Sequence, residues 1–316
     1  MNVVQRTEGL LAAPFTPLHP NGDLNLDLIP ALVDKLIADG VAGAFVCGSN
    51  GEGPNLTREE RMAVAEAFVR AAGGRLSIWV HVGHPSIREA QTLLRHARDI
   101  GADAASAVAA FYFKPASVQN LVDCMQEIAS AAPDFPFYYY HIPTLTGVGM
   151  DMVEFLRLGE AAIPNLRGIK YTANTLWEYQ ACLNYGEGRF DVLFGFDEML
   201  LPALSVGARA AIGSTYNFAA PLYLRMMAAY RSSDLADAQG QMQRLVDMVR
   251  VLLRYPPIPA QKAIMHRLGY DVGPCRLPLG RLSPQQCDQL YAELKVIGFW
   301  DQLDAVAPAP VNGVMG

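Results

Sequence analysis

The sequence predicts an α/β fold, a (β/α)8 TIM barrel with additional C-terminal helices, on three observations. Short apolar runs alternate with amphipathic segments, and each run begins roughly 20 to 35 residues after the previous one. That spacing is typical of a β-strand followed by a helix. After the eighth run the pattern changes to helical segments without strands. The apolar runs begin near Leu11, Val41, Leu76, Ala104, Phe135, Leu166, Phe190 and Ala210.

Each predicted strand is apolar along its whole length rather than at alternate positions. Parallel strands have this composition when helices cover one of their faces and the side chains of the barrel interior cover the other. The helix starts agree with the count. Thr57, Ser86 and Thr175 each precede a glutamate by three residues, which is the spacing of a capping box. Residues 27–38 carry an apolar stripe of helical period.

Three helical segments follow the eighth run, at about 235–254, 259–268 and 283–297. The stretches YPPIP and GPCRLPLG separate them, since proline and glycine interrupt helices. We therefore predict a barrel over residues 1–230 that carries the active site, a helical extension over 231–303 packed on its side, and a flexible tail over 304–316. The alternative, a doubly wound sheet, is disfavoured because no GxGxxG or Walker sequence follows a strand.

Composition excludes several classes of function. The chain has 316 residues, is 51% hydrophobic and carries a formal net charge of −6. The sequence contains no dense run of lysine and arginine, so a nucleic-acid partner is not expected. The longest apolar runs, such as 41–47, are strand-sized, so no membrane attachment is expected. The N-terminus lacks the pattern of a signal peptide, and five cysteines without CxxC spacing indicate reduced thiols. A cytoplasmic location is therefore expected.

Polar side chains concentrate directly after the predicted strands. In a TIM barrel the C-terminal strand ends form the active-site face, so these segments are expected to meet there. From the second to the eighth strand, the segments are CGSNGEG, HVGH, AFYFKP, YYYHIPTLTG, KYT, GFDE and GSTYN.

Lys170 ends the sixth apolar run and is one of five lysines in the chain. A desolvated lysine has a lowered pKa, and its neutral amine can attack a ketone to form a Schiff base. Lys35 and Lys295 fall on helices with solvent faces, Lys262 lies in the C-terminal helices and Lys114 in a loop. The alternative for Lys170 is an ammonium group that reaches water or pairs with a carboxylate.

Two further segments allow a functional and a purely structural interpretation. The turn GSNGEG can hold an anion through backbone N–H groups, with Ser49 and Asn50 as added donors, or it can be an ordinary tight turn. Tyr138 and Tyr140 point to the same side of the fifth strand. Tyr140, near the barrel mouth, could move a proton to or from an alkoxide, or it could simply pack with its hydroxyl bonded.

The acidic pair Asp197 and Glu198 follows the seventh strand at a helix start. The two carboxylates could accept hydrogen bonds from sugar hydroxyls, or complement the helix dipole. His81 and His84 raise the question of a zinc site, but no third ligand with suitable spacing is visible. We therefore expect neither a metal nor a cofactor.

Together the motifs GSNGEG, YHIPTLTG, GIKYT, GFDE and GSTYN, in this order, resemble those of the class I, pyruvate-dependent aldolases. This is the family that contains dihydrodipicolinate synthase and N-acetylneuraminate lyase. The resemblance extends from about residue 9 to 303 and implies a (β/α)8 barrel, usually a homotetramer. In the synthase branch, an arginine two residues after the proline of the tyrosine motif binds a second substrate carboxylate. Leu145 stands at that position here, and the remaining motifs are similar to the lyase branch.

The resemblance implies a role for each motif in the reversible cleavage of sialic acid to pyruvate and N-acetylmannosamine. Lys170 would form the Schiff base with the C2 ketone, and Tyr140 would help to move the C4 hydroxyl proton. Ser49 would link Tyr140 to Tyr112, which in this family comes from the neighbouring subunit. The C1 carboxylate would bind at Ser49, Asn50 and Gly51. The residues expected to position the sugar tail are Thr172, Gly195, Asp197, Glu198 and Ser214.

The family normally has threonine at the position of Asn50. Because an amide is larger and carries no hydroxyl, Asn50 could suit a different keto acid. A 2-keto-3-deoxy sugar acid aldolase is therefore the second hypothesis, and dihydrodipicolinate synthase a weaker one. A third is a catalytically silent protein that binds keto acids as a sensor, against which Lys170 and Tyr140 both argue.

Overall fold

Eight parallel strands form a closed barrel in a computed structural model, which describes residues 6–306. Each strand pairs with the next along the chain, and β8 closes the barrel on β1 through Gly9 opposite Ala210 and Ala12 opposite Gly213. The predicted fold class is confirmed, and every predicted strand start lies within about two residues of the observed one. The strands are β1 Gly9–Ala12, β2 Gly43–Val46, β3 Ser77–His81, β4 Ala104–Val108, β5 Phe137–His141, β6 Leu166–Tyr171, β7 Asp191–Phe194 and β8 Ala210–Gly213.

Helices connect successive strands, and further helices follow β8. The predicted C-terminal segments match α10, α11 and α12 closely, and a short α13 follows them. The helices are α1 Ile29–Ala38, α2 Arg58–Ala72, α3 Ile87–Asp99, α4 Val118–Ala129, α5 Pro143–Thr146, α6 Met152–Ala162, α7 Leu176–Asn184, α8 Leu200–Ser205, α9 Tyr216–Arg231, α10 Leu235–Leu252, α11 Pro257–Arg267, α12 Pro284–Val296 and α13 Phe299–Asp304.

One of the three predicted capping boxes is present. The Thr57 hydroxyl accepts from the Glu60 backbone while the Glu60 carboxylate accepts from the Thr57 backbone. Helix α3 begins after Ser86 as predicted, but the Ser86 side chain makes no capping hydrogen bond. The capping box predicted between Thr175 and Glu178 at the start of α7 is also absent. Glu178 instead accepts hydrogen bonds from the Met152 backbone and the Tyr171 hydroxyl. A tertiary partner has replaced the local one.

Two apolar clusters hold the barrel. The larger fills the space between strands and helices, and the smaller lies inside the barrel. The interior cluster is aromatic. The rings of Trp79 and Tyr138 lie 4.3 Å apart, and those of Phe45 and Tyr140 lie 5.5 Å apart, edge to face. Tyr138 and Tyr140 therefore share the interior side of β5, as predicted, and the interior of the barrel is a packed core.

The C-terminal helices pack on one side of the barrel, with α10 against α9. The division into residues 1–230, 231–303 and 304–316 remains a prediction, and most of the expected tail lies outside the described residues. Within residues 6–306, no helix is both long enough and apolar enough to cross a membrane.

Candidate active site

An open cavity of about 280 Å³ lies at the C-terminal ends of the strands. This is the end of a TIM barrel at which active sites lie, and it is also where the sequence concentrates its polar groups. Of the eleven residues expected to form the site, nine line it: Ser49, Asn50, Tyr140, Lys170, Thr172, Gly195, Asp197, Glu198 and Ser214.

Lys170 is buried on β6, with 4% of its surface exposed. Its Nζ lies 4.0 Å from the ring centroids of both Phe45 and Tyr140. Burial lowers the pKa of Lys170 to about 7, and the Asp197 carboxylate opposes that effect. Roughly half of the lysine is therefore a neutral amine at pH 7. A neutral amine that lines a cavity is a competent nucleophile for a ketone.

Tyr140 lies beside Lys170, because β5 and β6 pair with Tyr140 opposite Lys170. Burial raises the pKa of Tyr140 to about 12, while the hydroxyls of Ser49 and Thr172 act in the opposite direction. The phenol is therefore protonated at neutral pH and has two neighbouring hydroxyl groups. That arrangement can relay a proton rather than hold a permanent charge.

The Gly-rich loop, residues 47–53, follows β2 and has two non-glycine residues in the left-handed region, Cys47 and Glu52. Gly53 is required, because a Cβ there would lie 2.0 Å from the Cys47 carbonyl oxygen. The Thr16 hydroxyl donates to the Gly51 carbonyl oxygen over 2.6 Å. The loop is thus fixed in one conformation with Ser49 and Asn50 half-buried at the cavity wall.

A buried ion pair holds this loop from behind. Lys262 Nζ on α11 lies 2.6 Å from Glu52 Oε1, with side chains 4% and 0% exposed. The Arg276 backbone N–H donates to Glu52 Oε2 over 2.8 Å. The Arg276 guanidinium in turn binds both oxygens of Glu60 at the start of α2. Helix α11 and the segment that follows it are therefore bonded to the loop that carries Ser49 and Asn50.

Asp197 is buried and organises the opposite wall. Its Oδ2 accepts from the Thr215 backbone N–H over 2.8 Å and from the Thr215 hydroxyl over 2.6 Å. Burial raises the pKa of Asp197, and these two bonds, together with Lys170, oppose the increase. Because Gly213 has no side chain, Asp197 fits against β8, where a Cβ would lie 1.7 Å from Oδ1. Asp197 thus joins the GFDE segment to the GSTYN segment.

Other polar groups complete that wall. Thr172 Oγ1 is buried, lacks a hydrogen-bond partner within residues 6–306, and occupies the space that a Cβ at Gly195 would take. Glu198 is half-buried, and burial raises the pKa of its carboxyl group. Together with Ser214, these groups present hydroxyls and carboxyls to a bound molecule, as hydroxyl-rich ligands require.

Two expected site residues do not line the cavity. Gly51 lies behind the wall, where its carbonyl accepts from Thr16. Tyr112 is 79% exposed and stacks edge to face on Phe113, which is 84% exposed. Within this chain Tyr112 does not reach the cavity.

Sequence reasoning missed one wall of the cavity. It is lined by Val249 and Leu252 of α10, by Leu253 directly after that helix, and by Pro257 and Gln261 of α11. Their apolar periodicity indicates only helix packing, so no local signal identified them as cavity residues. Thr215, the partner of Asp197, was also missed, although it lies within the GSTYN motif.

The two histidines considered as metal ligands, His81 and His84, make separate local contacts. His81 is buried, and the guanidinium of Arg61 donates to its backbone carbonyl over 2.5 Å. Burial and the charges of Arg61 and Lys170 hold the pKa of His81 well below its usual value. His84 Nδ1 lies 3.0 Å from the Ser86 backbone nitrogen. Among residues 6–306, no group of three or more His, Cys, Asp or Glu residues is arranged to hold a metal ion.

Comparison with known proteins identifies relatives over almost the whole chain. Residues 6–297 match the model of the dihydrodipicolinate synthetase family. The N-acetylneuraminate lyase of Rattus norvegicus is 39% identical over 302 residues, which cover 93% of this chain and 94% of the relative.

Solved structures give the same result. The N-acetylneuraminate lyase of Aliivibrio salmonicida has a TM-score of 0.91 at 40% identity, covering 94% of this chain and 98% of that one. The lyase of Proteus mirabilis has a TM-score of 0.91 at 38% identity, covering 93% and 100%.

Proposed function

The chain belongs to the dihydrodipicolinate synthetase family, and we propose that it acts as an N-acetylneuraminate lyase. It is a carbon–carbon lyase of the class I aldolase type, which cleaves sialic acid reversibly to pyruvate and N-acetylmannosamine. The observation that carries the chemistry is Lys170, a buried lysine with a pKa of about 7 at the wall of the cavity.

The reaction begins with a covalent bond to Lys170. The neutral amine attacks the C2 ketone of the open-chain sugar, and loss of water gives a protonated imine. The imine then accepts the electron pair of the C3–C4 bond as that bond breaks. Protonation of the resulting enamine at C3 and hydrolysis of the imine release pyruvate and restore the amine.

Tyr140 handles the proton that this cleavage releases. As C3–C4 breaks, the C4 hydroxyl becomes an aldehyde and its proton passes to the Tyr140 oxygen. At the same time Tyr140 passes its own proton to the Ser49 hydroxyl, which opposes the rise in the pKa of Tyr140, and Ser49 releases its proton to solvent in the open cavity. A proton taken up from solvent then protonates the enamine at C3, so that both hydroxyl groups end the cycle unchanged. The same route in reverse supplies a proton for synthesis.

The two walls of the cavity serve opposite ends of the substrate. The Gly-rich loop binds the C1 carboxylate through Ser49 and Asn50, away from the acidic wall. The sugar tail binds the hydroxyl and carboxyl groups of the other wall, from Thr172, Gly195, Asp197, Glu198 and Ser214.

Leu145 supports this branch of the family. It lines the cavity with 64% of its surface exposed. A leucine cannot bind the second carboxylate that dihydrodipicolinate synthase must hold. The second candidate function, a 2-keto-3-deoxy sugar acid aldolase, rests on Asn50, whose larger amide changes the pocket at the carboxylate end.

The assembly and location are part of the same proposal. The exposed aromatic loop of Phe111, Tyr112 and Phe113 is suited to an interface between subunits. In a homotetramer it would bring Tyr112 to the Ser49 hydroxyl of a neighbouring subunit. All five cysteines are free thiols, which supports a reducing, cytoplasmic compartment.

Borohydride reduction in the presence of pyruvate tests the chemistry. We expect a stable adduct on Lys170 by peptide mass spectrometry, and none in Lys170→Ala. Absence of the adduct in the wild-type protein would contradict the aldolase function. Substrate choice requires a second assay. If 2-keto-3-deoxygluconate yields pyruvate and N-acetylneuraminate does not, the second candidate function is correct.

A further inference from the structure

One wall of the cavity has no part in the reaction described so far. It is formed by the C-terminal helices and is called here the α10–α11 wall. Four of its five residues are apolar, and the fifth carries an amide. Such a surface suits a ligand group that is itself part apolar and part amide, and it offers little to a row of hydroxyl groups. The wall consists of Val249, Leu252, Leu253, Pro257 and Gln261.

The α10–α11 wall adjoins the acidic wall that is proposed to bind the sugar tail. Helix α10 packs against the helical turn Asp197–Met199, which carries the two carboxylates of that acidic wall. Pro257 and Gln261 lie four residues apart on α11, so they share one face of that helix and line the cavity together. A group that extends from a bound sugar tail therefore has the α10–α11 wall next to it.

The amide of Gln261 has unmet hydrogen-bonding capacity. Gln261 is 5% exposed, and its Oε1 is buried without a hydrogen-bond partner among residues 6–306. Of the other cavity residues in that range, only Thr172 has a buried side-chain atom without a partner, and Thr172 already belongs to the sugar-tail wall. A buried acceptor without a donor costs free energy, so a donor on a bound molecule would stabilise it. That donor must be an uncharged N–H or O–H group rather than an anion.

The acetamido group is the part of N-acetylneuraminate that matches the α10–α11 wall. Its N–H can donate to Gln261 Oε1, and its carbonyl oxygen can accept from the Gln261 N–H groups if the side-chain amide is turned over. Its methyl group is apolar and suits the leucine and proline surface beside the amide. A 2-keto-3-deoxy sugar acid without an acetamido group has nothing that fits this apolar surface.

We propose that the α10–α11 wall is the subsite for the acetamido group, with Gln261 as its hydrogen-bond partner and Leu253 beside its methyl group. The subsite selects acetamido sugars over sugars that carry a hydroxyl group at the same carbon. This inference rests on the proposed function and names the residues that set its substrate class.

Condensation at saturating pyruvate tests the subsite, because N-acetylmannosamine and mannose differ only in the group at C2. The preference is the ratio of kcat/KM for N-acetylmannosamine to kcat/KM for mannose. Gln261→Met keeps the side-chain length but removes the amide. In this variant the ratio should fall roughly five- to tenfold, through a loss for N-acetylmannosamine alone. The matched control is Gln243→Met on the exposed face of α10, where the ratio should stay unchanged.

Leu253→Ser tests the apolar part of the same subsite. Leu253 is 65% exposed, so its replacement should leave the fold intact, and the ratio should fall about threefold. If Gln261→Met does not fold, the ratio measured in Leu253→Ser decides instead. The concentration of pyruvate that gives half-maximal borohydride adduct should match the wild type in both variants, because pyruvate has no acetamido group.

A wild-type ratio in folded Gln261→Met, or an equal loss for both sugars, would overturn the inference. Failure of the proposed function has a different signature. The wild-type protein would then form no pyruvate adduct on Lys170, and the inference would fall with it. A normal adduct together with an unchanged preference in Gln261→Met refutes the acetamido subsite alone.

Discussion

Lys262 Nζ lies 2.6 Å from Glu52 Oε1, and neither side chain exposes more than 4% of its surface. This pair connects a helix after the barrel to the Gly-rich loop after β2. Removing one charge from a buried pair leaves the other without a partner and costs more than removing both.

We therefore expect Lys262→Met to lower the free energy of unfolding by about 3–5 kcal/mol. The double variant Glu52→Gln, Lys262→Met should lose less, since the amide can still accept from the Arg276 backbone. Urea denaturation of the single and double variants measures the difference. Asp34→Asn is the control, because it breaks an exposed pair with Arg75 whose side chains are 62% and 54% exposed, and should change stability by less than about 1 kcal/mol. Equal losses in the single and double variants would contradict this account.

The active-site lysine should reduce the stability of the fold. Burial lowers the pKa of Lys170 to about 7 from the 10.5 of an exposed lysine, so the folded state binds its proton more weakly than the unfolded state. The resulting cost is complete below pH 7 and is lost as the pH rises from 7 to 10.5. Lys170→Met should therefore raise the free energy of unfolding, by on the order of a few kcal/mol at pH 6 and by less at pH 9.

Denaturation midpoints of the wild type and Lys170→Met at both pH values check this prediction. Lys295→Met on α12 is the control, because Lys295 is exposed and its replacement should give no pH-dependent difference. If the stabilisation did not diminish between pH 6 and pH 9, removal of the buried charge of Lys170 would not be its cause.

The sequence was sufficient to predict the strands and the residues that follow them, because both depend on local patterns. Continuous apolar runs predict buried parallel strands, and the fold itself brings their C-terminal ends together. Lys170 and Tyr140 could be predicted to be neighbours for this reason. The wall made by α10 and α11 could not be predicted, since its position depends on docking rather than on pattern.

Lys262 and Gln261 illustrate this limit. Sequence reasoning set Lys262 aside because it lies in the C-terminal helices rather than at the end of a barrel strand. Its partner Glu52 lies 210 positions earlier in the chain, and only the folded structure joins them. The missing capping boxes at Ser86 and Thr175 have a related cause, because tertiary partners can compete for a side chain that local spacing assigns to a cap.

The pH dependence of cleavage should report the charge of Lys170. Because only the neutral amine attacks the ketone, kcat/KM should fall about tenfold per pH unit below roughly pH 7. The Asp197 carboxylate raises the pKa of Lys170, so Asp197→Asn should move this acidic limb to lower pH. The matched control is Glu198→Gln, since Asp197 rather than Glu198 acts on the pKa of Lys170. The fall of kcat/KM at acidic pH should occur at the wild-type position in this variant. A limb that shifts equally in both variants would argue that Asp197 does not act through Lys170.

Tyr140→Phe should separate imine formation from bond cleavage. The phenylalanine keeps the ring whose centroid lies 4.0 Å from Lys170 Nζ, and it removes only the hydroxyl. The environment that lowers the pKa of Lys170 is therefore preserved, and borohydride should still trap pyruvate on Lys170 at a near wild-type concentration. The C4 hydroxyl proton, however, loses its acceptor, so kcat for cleavage should fall by about 100-fold or more.

Tyr138→Phe, on the same side of β5 but deeper in the barrel beside Asp191, is the control and should retain kcat. Equal losses of trapping and cleavage in Tyr140→Phe would instead assign the tyrosine to imine formation, because a pure proton relay cannot affect a step that precedes C3–C4 cleavage.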